Sequence, residues 1–193
     1  AYNVLGDLIS KTSGKTFESY IKDHIFQPLE MNDSTFMKTK ANPQLLATPH
    51  ILTEGAVTVN DVFPYNRMHA PSSTLISSVN NMGNWIITNL NHGKFGNKRI
   101  LKKSSYNLLF KPWTKQHEDK IKSHGQHEKG NGMGWFHGQH MGRKVLYHAG
   151  RDAGFRSYIT LLPEDSLGTV CSTNYDQAPL IPTIKKILDI LLK

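Results

Sequence analysis

The 193-residue chain has a single cysteine, Cys171. That excludes an internal disulfide and any cysteine-rich metal site. Set in an apolar strand pattern, Cys171 reads as a buried, inert thiol. Long hydrophobic runs are missing too. No stretch approaches the ~20 apolar residues of a membrane-spanning helix, so the chain reads as soluble, with no transmembrane segment. Acidic residues are scarce: 15 Asp and Glu against 23 Lys and Arg give a net charge of +8. Such a charge suits nucleic acid, an anionic envelope or acidic substrates. The basic residues are scattered, however, and no basic helix carries interleaved exposed aromatics. A merely basic surface is the simpler account, and no nucleic-acid partner is expected. There is no internal repeat, no G-x-S-x-G elbow and no signal-peptide pattern ahead of the helical stretch that opens at Ala1.

Two regular patterns are present. In the first, Val4, Leu5, Leu8 and Ile9 form a helical stripe within Tyr2 to Ser13, closed by Gly14 as a C-terminal cap. Thr16 then caps a second helix whose buried face is Phe17, Tyr20, Ile21, Ile25 and Phe26, ending in the turn 28–33. Phe36 to His69 is polar and proline-interrupted, and reads as an irregular segment lying over the core. Ser78 is placed to cap a helix from Val79 to Asn91 that turns Met82, Trp85, Ile86 and Leu90 inward. His92-Gly93 stops it, and Ser104 is the expected cap of a short further helix through Phe110. Gln116 to Gly130 reads as a surface loop.

The second pattern begins near residue 131. Gly132 to Phe136 reads as a strand and Gly138 to Gly142 as its turn. Arg143 to Tyr147 reads as a strand, and Phe155 to Leu162 alternates as a half-buried strand does. Pro163 to Gly168 is a turn and Thr169 to Asn174 a last strand. Ile181 to Leu192 closes the chain as a helix with Ile184, Ile187, Leu188, Leu191 and Leu192 on one face. Helices first, then a meander, then one helix argue an α+β fold. It would be a single domain over 1–193, with 1–130 mainly helices and loops and 131–193 antiparallel strands plus the last helix. The sheet should hold about three to five strands.

Histidines invite a metal reading. His124-x-x-His127 and His137-x-x-His140 are paired, with Glu118, Asp119 and Glu128 near by. Zinc needs four ligands in fixed geometry. The first pair falls in the presumed loop and no cysteine assists, so solvated loop histidines are the simpler account, and no metal or cofactor is expected.

The most informative stretch is Tyr147-His148-Ala149-Gly150-Arg151-Asp152-Ala153-Gly154-Phe155. Glycine after a basic strand lets a ligand approach the backbone closely. A hairpin corner that needs glycine and happens to carry a histidine explains the spacing equally well.

Five segments, in order, resemble one family. Tyr2 to Ile9 followed by Ser13-Gly14 is similar to a helix ending in Ser-Gly. Residues 25–36 are similar to a "PLGM-x-D-T-x-F" segment, with Glu30 replacing glycine. Residues 70–82 are similar to "AGGL-x-S-T-x-D-L", with Ser72-Ser73 replacing glycines and Asn81 the aspartate. His148-Ala149-Gly150 with Gly154-Phe155 matches a His-x-Gly motif, and Thr173-Asn174 ends a strand as "LTN" does. These carry a resemblance to the C-terminal two-thirds of the β-lactamase-like serine hydrolases: class C β-lactamases, D-Ala-D-Ala carboxypeptidases and related esterases.

The resemblance implies acyl transfer through a serine ester, on β-lactams, D-Ala peptides or small esters. It places His148, Gly150 and Arg151 in the third motif of the site. His148 would stand near the substrate carboxylate, and the Arg151 backbone N–H would join the nucleophile's own N–H in an oxyanion hole. The Ser-x-x-Lys and Tyr-x-Asn motifs are expected ahead of Ala1, so the domain is read as truncated and the chain alone as inactive. Ser19-Tyr20-Ile21-Lys22 spells Ser-x-x-Lys but lies far downstream of the family position, as a chance match on a surface face. Tyr2 aligns with a packing tyrosine of the family helix. A sheet edge and an apolar face should then lack partners, to be covered by the missing N-terminal segment or by a second copy. A periplasmic, cell-envelope or secreted location fits the resemblance. The alternative is a non-catalytic binding or scaffold protein on the same fold.

Overall fold

A computed structural model describes residues 1–114 and 130–193. Two helices open the chain: α1 (Tyr2–Ser13) and α2 (Phe17–Ile21). Gly14 caps α1 in the left-handed conformation at φ 68, its N–H donating to the Ser10 carbonyl. The Thr16 side chain caps α2 by accepting the Ser19 N–H, and the helix continues with wider π-type winding over Lys22–Phe26. The hairpin β1 (His50–Thr53) and β2 (Ala56–Val59) follows. Next come α3 (Val79–Leu90), the short hairpin β3 (Lys94–Phe95) and β4 (Lys98–Arg99), and α4 (Lys103–Leu109). A five-stranded antiparallel meander then runs β5 (Gly130–Asn131), β6 (Phe136–His140), β7 (Arg143–Asp152), β8 (Phe155–Leu162) and β9 (Leu167–Thr173). The last helix is α5 (Leu180–Leu191).

The sheet is sandwiched. On one face Val145, Tyr147, Tyr158 and Leu162 pack against Leu180, Ile184 and Leu188 of α5. On the other, Leu146 and Leu161 pack against Ile86 of α3 and Trp135. This explains why Val145, Leu146 and Tyr147 are consecutive and all fully buried: a strand covered on both faces has no polar side. Each such side chain contributes about 2 kcal/mol by leaving water. A third cluster, Phe26, Leu29 and Met31 with Met82 and Trp85, joins the α2 region to α3.

Several sequence expectations need correction. Ile86 is buried as expected, and Ser78 caps α3 through the Asn81 N–H. α4, by contrast, starts at Lys103, with Lys102 rather than Ser104 at its cap. The segment 36–69 is not wholly irregular. Its β1–β2 hairpin is closed by Glu54 and Gly55 at φ 51 and 83, the two-residue turn that matches strand twist. Gly132 to Trp135 turns rather than extends, and the strand is Phe136–His140. Its turn is only Met141-Gly142, because Gly138 pairs with Val145 inside the ladder. Leu191 of α5 is 54% exposed, off the packed face. The loop expected over 116–130 lies outside the described residues except for Gly130, which is in β5.

The largest correction concerns α1. Of its apolar stripe only Ile9 is partly buried, and the rest does not face the core. Tyr2, Val4, Leu5 and Leu8 are each more than half exposed. The packed residue is Gly6, where an added Cβ would stand 2.1 Å from Pro71 Cγ. The helix is drawn so close to residues 67–71 that only its small face fits, and the stripe is left outward.

The glycine-like positions also shift. Thr74, not Ser72 or Ser73, takes the left-handed conformation, at φ 64. A β-branched residue there is strained by about 1–3 kcal/mol. Its Oγ1 is buried with no hydrogen-bond partner among the described residues. Thr74→Gly is therefore expected to stabilise the chain by about 1 kcal/mol after the lost side-chain contacts are counted, measured as a higher urea midpoint with unchanged m-value. A lower midpoint would show that packing at Thr74 outweighs the strain.

Candidate active site

The informative stretch holds a hairpin corner only at its far end, and the histidine is not in it. His148, Ala149, Gly150 and Arg151 lie inside β7, whose turn comes later at Ala153-Gly154. Nor is β7 an edge strand along its whole length. It is the middle strand of the sheet, paired with β6 from Arg143 to Tyr147 and with β8 from Leu146 to Asp152. β6 begins at Phe136, opposite Tyr147, so His148–Asp152 runs past its end. Among the described residues no strand pairs with this half of β7 on the β6 side.

The open half presents defined backbone groups. Met141-Gly142 closes the β6–β7 hairpin and Ala153-Gly154 the β7–β8 hairpin. A two-residue turn makes the flanking residues a hydrogen-bonded pair, here His140 with Arg143 and Asp152 with Phe155. N–H directions alternate along an antiparallel strand. Counting from either turn gives the same answer: Tyr147, Ala149 and Arg151 direct their backbone groups away from β8. The Arg151 N–H thus faces the open edge. Its guanidinium lies elsewhere, 3.3 Å from the Asp176 carboxylate.

Cross-strand partners share a face. His148 pairs with Ile159, Gly150 with Ser157 and Asp152 with Phe155, continuing outward from the buried Leu146–Leu161 pair. All lie on the α3 side of the sheet. His148 is exposed, and its ring lies 5.5 Å from that of Phe136. At Gly150 an added Cβ would come within 2.6 Å of Ser157 Oγ, so a larger residue there would have to turn the Ser157 hydroxyl aside. Phe155 belongs to the stretch that the sequence marks, whereas Ser157 carries no motif and reaches this face through the alternation of β8.

A second element reaches the same end of the sheet. His50 N–H donates to the Asn174 carbonyl at 2.8 Å, and Asn174 Nδ2 donates to the Thr48 carbonyl at 2.8 Å. The Phe63 ring meets the Phe155 ring edge-on at 5.5 Å. Segment 36–69 is thereby pinned beside the outer turn of β7 and β8. Asn174, expected only to end a strand, is its anchor.

The other sequence candidates separate from this site. Ser19 Oγ accepts the Thr16 hydroxyl at 3.0 Å within the α2 cap, and both Ser19 and Lys22 are exposed. The open groove between α1, α2 and residues 67–71 contains none of His148, Gly150 and Arg151. His137 and His140 are not solvated loop groups. Three apart on β6, they project to opposite faces and cannot chelate one ion. His137 is only 4% exposed, its Nε2 without a partner among the described residues. Burial, aided by nearby Lys144, pushes its pKa below the ordinary 6.5. His140 Nε2 lies 2.8 Å from the Asp189 carboxylate of α5. His124, His127, Glu118, Asp119 and Glu128 lie outside the described residues. Among the described residues no group of three or more His, Cys, Asp or Glu is placed to hold a metal, and no helix is long and apolar enough to cross a membrane.

The Beta-lactamase family model matches residues 1–191. Protein flp of Staphylococcus aureus (strain MW2) is 25% identical over 177 residues, covering 90% of this chain and 32% of that protein. The putative penicillin-binding protein PbpX of Bacillus subtilis is 38% identical over 63 residues, 33% of this chain and 16% of that protein. The chain spans about a third of the length of the first of these and less of the second. Among solved structures, the octameric penicillin-binding protein homologue from Pyrococcus abyssi superposes with a TM-score of 0.83 at 27% identity, over 99% of this chain and 41% of that one. D-amino acid amidase from Ochrobactrum anthropi SV3 shares the fold, with a TM-score of 0.73 at 17% identity over 99% of this chain and 54% of that one.

Proposed function

This chain belongs to the β-lactamase family, and on that premise we propose that it supplies the sheet side of a serine acyl-hydrolase site for β-lactams, D-Ala peptides or small esters. The observation that carries the reading is the half of β7 that outruns β6. There a substrate amide or ester can lie along the edge of β7 that no strand covers among the described residues, as an added strand would. His148 receives the substrate carboxylate. The Arg151 N–H donates to the carbonyl oxygen as it gains negative charge, and such a preorganised donor is worth about 3 kcal/mol of transition-state stabilisation. Gly150 keeps the floor flat enough for close approach. The chemical step needs a serine oxygen to attack the carbonyl carbon, its proton passing to a base. Water later releases the acyl group.

In this proposal the nucleophile comes from the portion of the domain that the longer relatives carry. Two surfaces are suited to receive it. One is the outward stripe of α1, Tyr2, Val4, Leu5 and Leu8. The other is the far edge of β9, which among the described residues pairs along its length only with β8. A contiguous apolar patch and an open strand edge both favour association. The solved homologue from Pyrococcus abyssi is octameric, and a second copy is the competing occupant here.

The test is turnover of nitrocefin and p-nitrophenyl acetate by the 193-residue chain, with light scattering on the same sample. The expected result is background turnover and self-association, with hydrolysis appearing when a Ser-x-x-Lys polypeptide of the family is supplied. Turnover by the chain alone that Ser19→Ala abolishes would refute the assignment of the nucleophile to another segment. A supplied segment that binds yet restores nothing would favour a non-catalytic binding role.

A further inference from the structure

The face that carries His148 and Gly150 does not end at Ser157. One pair further out it continues to Phe155, opposite Asp152. The Phe63 ring stands edge-on to Phe155 at 5.5 Å, with an interplanar angle of 61°. Lys38 Nζ sits 4.4 Å from the centroid of the Phe63 ring. Phe63 and Lys38 come from opposite ends of segment 36–69, which are tied together by the Tyr65 hydroxyl donating to the Phe36 carbonyl at 3.0 Å. The segment is held to the sheet by the His50 and Asn174 contacts. These positions are therefore set by anchored backbone on both sides.

We propose that Phe155, Phe63 and Lys38 form a specificity-determining wall at the outer end of the open half of β7, selecting an acyl group that is aromatic and bears an anion at its far end. This rests on the site reading given above. Two rings meeting edge to face leave one ring face and one edge for a third aromatic group. Lys38 is exposed and makes no ion pair among the described residues. Its ammonium is steered by the ring quadrupole beneath it rather than neutralised by a carboxylate. The nearest acid by register, Asp152, turns Oδ1 back to accept the Ala153 N–H at 2.9 Å. A cation fixed over an aromatic wall, in a chain of net charge +8, favours a ligand that offers a ring first and a negative charge beyond it. His148 is left for a carboxylate at the opposite end of the same ligand.

The experiment is an amide-resonance titration of the isotope-labelled full chain with two probes, phenylacetyl-D-alanine and 4-carboxyphenylacetyl-D-alanine. Both are expected to shift the His148, Gly150 and Ser157 amides, with the 4-carboxy probe binding about threefold more tightly. Lys38→Met, a change at an exposed position, is expected to erase that preference while leaving the affinity for the uncharged ring within about twofold. Phe63→Leu is expected to weaken both probes about fivefold. Equal affinities in the unmodified chain, or a preference that survives Lys38→Met, would overturn the wall and leave the site reading standing. No shift at His148, Gly150 and Ser157 with either probe would overturn the site reading and the wall with it.

Discussion

Gly154→Ala lowers the stability of this chain by about 2–5 kcal/mol, of which only part is backbone strain. Gly154 stands at φ 84 in the turn between β7 and β8. An alanine held in that left-handed region costs about 1–2 kcal/mol. The remainder is steric. The new Cβ would lie 2.3 Å from Pro49 Cβ, 2.9 Å from Pro49 Cα and 3.0 Å from the His50 nitrogen. Two of these atoms are backbone, so no side-chain rotation relieves the contact. Either the turn distorts or segment 36–69 lifts from the sheet. Gly142→Ala is the matched comparison. Gly142 has φ 78 in the β6–β7 turn, and nothing lies within 4 Å of its Cβ position. Denaturant unfolding of the two variants therefore separates conformation from collision. Gly154→Ala is expected to lose at least ~1 kcal/mol more than Gly142→Ala, and equal losses would mean that Pro49 does not press on the turn.

His148→Ala is expected to lower kcat/KM about 10- to 100-fold for a carboxylate-bearing substrate, in a polypeptide that joins this chain to a Ser-x-x-Lys portion of the family. A hydrogen bond to a charged group contributes about 1.5–3 kcal/mol, which sets that range. p-Nitrophenyl acetate has no carboxylate and should lose much less, since the Arg151 N–H is backbone and survives the change. The imidazole is exposed, with its ring 5.5 Å from that of Phe136. Unchanged kinetics on both substrates would remove His148 from the site. A uniform loss on both would mean that the imidazole acts on the reacting atoms and not on the carboxylate.

Much of the local structure is legible in the residues because its causes are local. Thr16, Ser78 and Gly14 cap helices through groups no more than four residues away. The run from Val145 to Tyr147 announces a strand buried on both faces. α5 declares its packed side through Leu180, Ile184 and Leu188 at helical spacing. The β1–β2 hairpin was legible as well, in Glu54-Gly55 between β-branched runs, but the surrounding prolines masked it. His148, Gly150 and Arg151 could be singled out because a histidine, a glycine and a backbone donor at that spacing resemble a family motif. Ser157 and Phe63 carry no such mark, and their place beside the site follows from strand register and from a loop arriving from more than ninety positions earlier in the chain.

The sequence by itself determined the caps of α1, α2 and α3, the α+β order of elements, and the family, since each rests on neighbours along the chain or on motifs in fixed order. Tertiary structure alone decided that α1 turns its small face inward and its apolar stripe outward. A stripe shows which side of a helix is apolar, but the room that Gly6 leaves for Pro71 decides how near that helix comes and which side meets its partner. It also decided that β7 is paired with β6 only as far as Tyr147 and with β8 alone beyond it. Pairing is a property of two strands, and where β6 begins is not encoded in the residues of β7.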